Sequence, residues 1–274
     1  MRKDEVVTNF KKLLNIVEEQ DIADQIYLPI THVPDLNFID DIVDARFLKC
    51  SKGNKPYDDE DLLFFTYGRN AFIPRDEKEA ENMIYPPLVF LMDPRLVKGT
   101  AKRMLPFDSG AFKSYGVPSN IPITKFEIEH PSGEDYLKLV VLLYKNYNNY
   151  IKFKHDFEEL VKKYTLFPAL RILEEIYTKQ LTENSPIGPQ GRSIEIHYGE
   201  PVPLEPWLIL YPHNFANEKY DPSQLKLAFP TSTIRMYTAD TTGGGGSRKH
   251  RDSINKEIRD FIKEKATTLK WNRT

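Results

Sequence analysis

The sequence predicts an α+β fold on three observations. Short apolar runs rich in β-branched residues recur in the first 95 residues and again after residue 192. Between them, residues 135–181 carry successive amphipathic helical stripes. Strands and helices do not alternate regularly, which disfavours a doubly wound parallel sheet. No internal repeat is visible.

Residues 4–19 read as an amphipathic helix, with Asp4 as cap and Val6, Phe10, Leu13 and Val17 at helical spacing. Ile26 to Ile30 form a short apolar strand. Asp35 to Leu48, carrying Leu36, Ile39, Ile42 and Val43, follows as a helix packed on it. Residues 51–61 are a polar surface loop. Leu62 to Phe65 and Leu88 to Met92 are buried strands, with the charged stretch 75–84 exposed between them. In the helical block, Tyr136, Leu139, Val140, Leu143, Tyr144 and Tyr147 mark one stripe. Phe153, Phe157, Leu160, Val161 and Tyr164 mark a second, and Leu170, Leu173, Ile176 and Tyr177 a third. Strands resume at Ser193 to His197, Trp207 to Tyr211 and Thr233 to Tyr237. A last helix, about 253–265, turns Ile254, Ile258, Phe261 and Ile262 inward. Gly243-Gly-Gly-Gly-Ser247 is a flexible linker by composition, native or introduced.

Composition bounds the function. A chain of 274 residues, 40% hydrophobic and 28% charged with a net charge of −2, is that of an ordinary soluble protein. It has no global field to recruit nucleic acid or an anionic membrane. The single Cys50 leaves no intramolecular disulfide and no cysteine metal site. No apolar run approaches the roughly 20 residues of a membrane span, and Met-Arg-Lys-Asp-Glu has no signal core, so a cytoplasmic location is expected.

Several chemistries lack their motifs. The six histidines, at 32, 130, 155, 197, 213 and 250, show neither a His-x-x-x-His pair nor His-Glu-x-x-His. A two-His, one-carboxylate site assembled from distant segments stays open, and no metal ligand is assigned. A Gly-x-Ser-x-Gly elbow and a dinucleotide-binding Gly-x-Gly-x-x-Gly are absent, and the glycine run lacks the Lys-Ser/Thr of a phosphate loop. Nothing near Cys50 supplies the charge that would activate its thiol. Asp108-Ser109-Gly110 reads as a turn above flanking aromatics. With neighbouring acids, Asp108 also permits a metal-dependent nuclease as an alternative.

Gly191-Arg-Ser-Ile-Glu-Ile-His197 sets one carboxylate between two isoleucines on a strand. Alternation puts Ile194 and Ile196 on one face, and Ser193, Glu195 and His197 on the other. Upstream, Thr31-His32 ends one apolar strand and Phe65-Thr-Tyr-Gly-Arg69 ends another. A His, a Tyr and a Glu at strand ends form a candidate constellation.

These residues carry a resemblance. Leu28-Pro-Ile-Thr-His32 and the helix after it resemble the opening of ADP-ribosyltransferase-like domains, where a strand-end histidine holds NAD. Leu63-Phe-Phe-Thr-Tyr-Gly-Arg-Asn-Ala-Phe72 resembles the second strand, whose tyrosine stacks on the nicotinamide. Ser193-Ile-Glu195 resembles the strand bearing the glutamate of the His-Tyr-Glu subgroup. Pro87 to Pro94 and Arg103 to Phe112 look like bacterial proteins of this type, associated with toxin or phage-defence functions. The resemblance spans residues 26–237 in order.

It implies one domain over 1–274: a split β-sheet core at about 26–134 and 190–240, a helical insertion at about 135–185, and flanking N- and C-terminal helices. It implies NAD as substrate, with Glu195 stabilising the oxocarbenium-like transition state. His32 and Thr31 would orient a ribose, Tyr67 would face the nicotinamide at Gly68, and Arg69 would pair with the pyrophosphate as a fork. The acceptor would be a macromolecule, nucleic acid or protein, with an inhibitory antitoxin or sensor as possible partner and no membrane. Transferases that modify arginine carry Gln or Glu where Ser193 stands, so that acceptor is disfavoured. The basic residues from Arg248 to Arg251 and Lys256 to Lys270 touch phosphate or form a solvated helix face.

Each residue also has a simpler reading. His32 or Thr31 caps the following helix, Tyr67 is a half-buried strand-end aromatic, and Arg69 pairs with the acidic 58–61 run. Glu195 is solvated or pairs with Arg192. A catalytically inactive NAD-cleft or protein-interaction module is the alternative function.

Overall fold

β-Branched and aromatic runs pair here into one mixed sheet of nine strands, flanked by helices. The computed structural model describes residues 10–34, 39–53, 56–71, 87–97, 101–110, 112, 121–155, 158–164, 167–178, 189–213, 222–238 and 246–270. The strands are β1 (Ile30–His32), β2 (Phe47–Leu48), β3 (Ser51–Lys52), β4 (Asp61–Tyr67), β5 (Val89–Met92), β6 (Arg103–Leu105), β7 (Ile128–Glu129), β8 (Glu195–Tyr198), β9 (Val202–Pro203), β10 (Leu208–Pro212) and β11 (Thr233–Tyr237). The sheet runs β11-β10-β5-β1-β4-β8-β6-β7, with β3 added beside β4, while β2 and β9 form a separate ribbon. Neighbours are antiparallel except β10 and β11. The β10–β11 connection includes a helix, α8 (Pro222–Ala228).

Before α8 come α1 (Phe10–Leu14), α2 (Glu19–Ile22), α3 (Ile39–Ala45), α4 (Gly133–Tyr144), α5 (Tyr147–Ile151), α6 (Glu158–Lys163) and α7 (Pro168–Thr178). After it comes α9 (Gly246–Lys265). A capping box starts α4: Ser132 and Asp135 each bond the other's backbone N–H, satisfying two donors the first turn leaves open. Tyr136 of α4 packs its ring on Tyr67, so the helical block covers that sheet face. At the β10–β11 end of the other face, α9 docks through Glu264 to Arg235 and through Phe261 to Trp207. No helix among the described residues is long and apolar enough to cross a membrane.

The elements differ from the sequence expectations where local geometry intervenes. The helix expected at 4–19 appears as α1 and α2, because Asn15, Ile16 and Val17 bond three residues back and tighten the turn. Residues 4–9 lie outside the described residues. The strand expected at 26–30 is displaced to β1, and Ile26 forms an isolated bridge with Lys270. The helix expected at 35–48 is described only as α3: Arg46 takes a left-handed φ of 54°, and the chain turns into β2. The polar loop at 51–61 holds β3, and its Tyr57 is buried. The final helix starts at Gly246, inside the glycine-rich stretch. Residues 75–84, 179–185 and 243–245, with Leu36, Phe72 and Phe157, lie outside the described residues.

Candidate active site

Strand β8 lies in the sheet between β4 and β6 and carries Glu195 at its first position. Alternation turns its carboxylate and the His197 imidazole to one side. Oε1 of Glu195 meets Nε2 of His197 at 2.5 Å and accepts the Ser109 N–H at 3.3 Å. The Glu195 side chain is 7% exposed and that of His197 fully buried. A carboxylate only accepts, so the shared proton of a neutral His197 sits on Nε2. Tyr57 and Phe64 hold the ring edge-on, with centroids 5.0 and 4.6 Å away. Ser109 reaches Glu195 because Asp108 N–H bonds the Gly191 carbonyl, fastening the Asp108-Ser109-Gly110 turn beside β8.

Two other acids near this face, Glu60 and Glu127, are paired with cations. Arg103, which pairs in register with His197, bonds Glu60 and Glu127, and Lys102 also bonds Glu60. The Arg103 hydrogen bond, with Lys102 adding, holds the Glu60 carboxyl below its ordinary range. The Tyr57 hydroxyl donates to Glu127 at 2.7 Å. Glu195 has an imidazole partner instead of a permanent cation. Among the described residues Glu195 makes no ion pair with Arg192, and at 7% exposure its side chain is not solvated, so neither simpler reading is found.

Register decides which expected residues join it. Thr31 pairs with Thr66, and Thr66 with Glu195, so these three form one row across β1, β4 and β8. Two interstrand spacings separate Thr31 from Glu195, about 10 Å. Ile30 pairs with Tyr67 in the adjacent row, which places His32 and Tyr67 on the opposite face. The expected gathering of His32, Tyr67 and Glu195 is therefore not what the sheet builds. Tyr67 is fully buried against Tyr136, and its hydroxyl accepts the Leu28 N–H at 3.0 Å. His32 donates Nδ1–H to the Phe64 carbonyl at 2.9 Å, and burial pushes its imidazole down to about 4. Gly68 makes the turn after β4 at a φ of +69°, its N–H on the Pro29 carbonyl.

Arg69 does not reach the 58–61 run. It is 3% exposed, its Cζ 3.8 Å from the Tyr150 ring centroid and 3.6 Å from that of Phe153. Burial raises the neighbouring Tyr144 hydroxyl to about 12, with the Arg69 charge pulling the other way. The Cys50 thiol is pushed up by burial, then by Asp61 and Glu200, so it is a poor nucleophile. No three of His, Cys, Asp and Glu converge as metal ligands among the described residues, which leaves the nuclease reading without a ligand set there.

Sequence reasoning missed Ser109 and underweighted His197. The signals were present: His197 lies two residues after Glu195, and Asp108-Ser109-Gly110 is a tight turn. What their sequence positions lack is the long-range contact between residues 109 and 195. Among known proteins, no family model, curated protein or solved structure matches the chain.

Proposed function

We propose that the chain is an enzyme with Glu195 as its catalytic carboxylate, cleaving the nicotinamide–ribose bond of NAD and passing ADP-ribose to a macromolecule. The observation that carries this reading is the buried Glu195, held by His197 and the Ser109 N–H on a sheet face it shares with Thr31 and Thr66. The reaction type comes from the sequence resemblance. When the bond between ribose C1′ and the pyridinium nitrogen breaks, its electron pair leaves with neutral nicotinamide and positive charge grows on the ribose. A fixed carboxylate stabilises that charge, more strongly where water is excluded. The acceptor then bonds C1′ and loses its proton, which the Glu195–His197 pair can take. Thr31 is the expected ribose contact that fits this face, because its buried hydroxyl has no hydrogen-bond partner among the described residues. His32 and Tyr67 would act only as walls under the helical block. A nucleic-acid or protein acceptor, and a role in toxicity or phage defence, belong to the same reading.

The test is nicotinamide release from NAD, with label followed into protein and nucleic-acid fractions of a lysate, for the wild type and Glu195→Gln. Gln keeps an acceptor oxygen for Ser109 while removing the charge. The expected loss is about 100-fold or more with an unchanged melting curve, the scale on which electrostatic groups act. Full turnover in Glu195→Gln refutes the site. The separation of His32 and Tyr67 from Glu195 favours a second reading, a catalytically inactive binding module. NAD binding without turnover in the wild type would establish it.

A further inference from the structure

Glu195 and His197 are two residues apart on β8, which separates their Cα atoms by about 6.6 Å. Their side chains meet at 2.5 Å only because they lean toward each other along the strand. The ring is the fixed member of the pair. His197 is fully buried, its carbonyl accepts the Lys102 N–H at 2.7 Å, and Tyr57 and Phe64 grip the imidazole edge-on. Glu195 therefore takes the side-chain conformation that reaches the ring.

Both donors to Glu195 fall on one oxygen. Oε1 accepts from His197 Nε2 and from the Ser109 N–H, and the carboxylate has no other partner among the described residues. A carboxylate offers about four lone-pair sites, and a purely structural buried pair would occupy both oxygens. Oε2 is left for a ligand, on the face that also carries the unpartnered Thr31 hydroxyl.

The second ring nitrogen decides the charge of His197. Nδ1 is buried with no partner among the described residues. An imidazolium would bury an N–H donor there with nothing to accept it, whereas a neutral ring leaves only a lone pair unmatched. The charges on that side cancel: Arg103, in register on β6, and Lys102 balance Glu60 and Glu127, and the Tyr57 hydroxyl donates to Glu127. Among the described residues no surplus of negative charge favours a cationic ring.

We propose that His197 is a positioning residue of this site. It stays neutral, pins Oε1 of Glu195 from within the core, and so presents Oε2 as the oxygen that meets the substrate. His197 has no exposed surface, so it touches no substrate itself, and a proton taken from the acceptor goes to Oε2. The inference rests on Glu195 being the catalytic carboxylate.

Nicotinamide release from NAD, resolved into kcat and KM, tests it for the wild type, His197→Phe and His197→Gln. Phe fills the aromatic slot without a donor, and Gln sets an amide N–H near the place of Nε2. His197→Phe lowers kcat about 10- to 100-fold, the scale of a misplaced group, with KM changed less than about threefold. His197→Gln recovers most of that loss. Nitrogen NMR of the imidazoles, with His197 assigned as the signal missing from His197→Gln, shows a neutral Nε2–H ring at neutral pH in the wild type. In Glu195→Ala the ring loses its acceptor, and the fixed tautomer with it. Wild-type kcat in folded His197→Phe, no recovery in folded His197→Gln, a loss confined to KM, or an imidazolium or Nδ1–H ring in the wild type would each overturn the assignment. A wild type that releases no nicotinamide refutes the NAD reading alone. The tautomer and its dependence on Glu195 still decide whether His197 pins the carboxylate.

Discussion

Face parity decides what Glu195 can work with. Within a strand the sequence was sufficient: alternation put Ser193, Glu195 and His197 on one side, and the Glu195–His197 contact agrees. Between strands it was not. Whether residue 67 or residue 66 shares a face with residue 195 depends on register, and a slip of one residue reverses the answer. Thr66 is the residue opposite Glu195, so Tyr67 falls on the other face, and His32 with it. His32 also makes a pH prediction. Its folded value of about 4 lies below the ordinary 6.5. An unfolded chain therefore takes up a proton near pH 6.5 that the folded chain refuses until about pH 4. Stability is complete above that window and falls as pH drops through it. The residue is partly exposed, so the loss is at most about 3 kcal/mol. His32→Asn keeps a donor for the Phe64 carbonyl without titrating. Urea midpoints from pH 7 to 4 should flatten in that variant, and an unchanged slope would assign the acid sensitivity elsewhere.

At the scale of elements, strands were the most legible parts. Leu62 to Phe65, Thr233 to Tyr237 and, but for Leu88, the run to Met92 fall on strands, because continuous apolar runs bounded by polar or turn residues leave few other solutions. The 51–61 stretch was misread because its acids suggest solvent. The cations that draw Glu60 inward, Lys102 and Arg103, are some 40 residues away in sequence. The turn that ends β4 is closely packed. A Cβ on Gly68 would sit 2.5 Å from Leu28 Cδ1 and 3.1 Å from Tyr150 Cε1, at a backbone φ of +69°. Gly68→Ala should therefore destabilise by about 1–3 kcal/mol. A wild-type denaturation midpoint in this variant would contradict the turn geometry.

Over the whole molecule, the α+β class was readable from the irregular order of strands and helices, while the strand order was not. Local periodicity carries no information about which edge a strand finds. The early and late parts of the chain are joined by the β4–β8, β6–β8 and β5–β10 pairings, and α9 adds a polar contact to the chain after β4. Asn255 of α9 accepts the Asn70 N–H at 2.9 Å and donates to the Asn70 carbonyl at 3.1 Å, imitating a strand neighbour. Asn255→Leu removes both of these hydrogen bonds and should cost about 1–3 kcal/mol. Faster hydrogen exchange at the Asn70 amide would report it, and unchanged protection would show that α9 is held by its apolar face alone.

The place of β8 has a consequence for biosynthesis. It fills the gap between β4 and β6, yet it begins at residue 195, long after β6 ends at residue 105. Until residue 198 leaves the ribosome, both neighbours present an open hydrogen-bonding edge, and the intervening helices can pack on only an incomplete sheet. Such edges recruit other chains. Nascent chains stalled before Glu195 should therefore aggregate more, or depend more on chaperones, than those extended past Tyr198, in which only the β5 edge still waits for β10. The strand that bears the candidate catalytic carboxylate is also the one whose arrival joins the two parts of the sheet made before it.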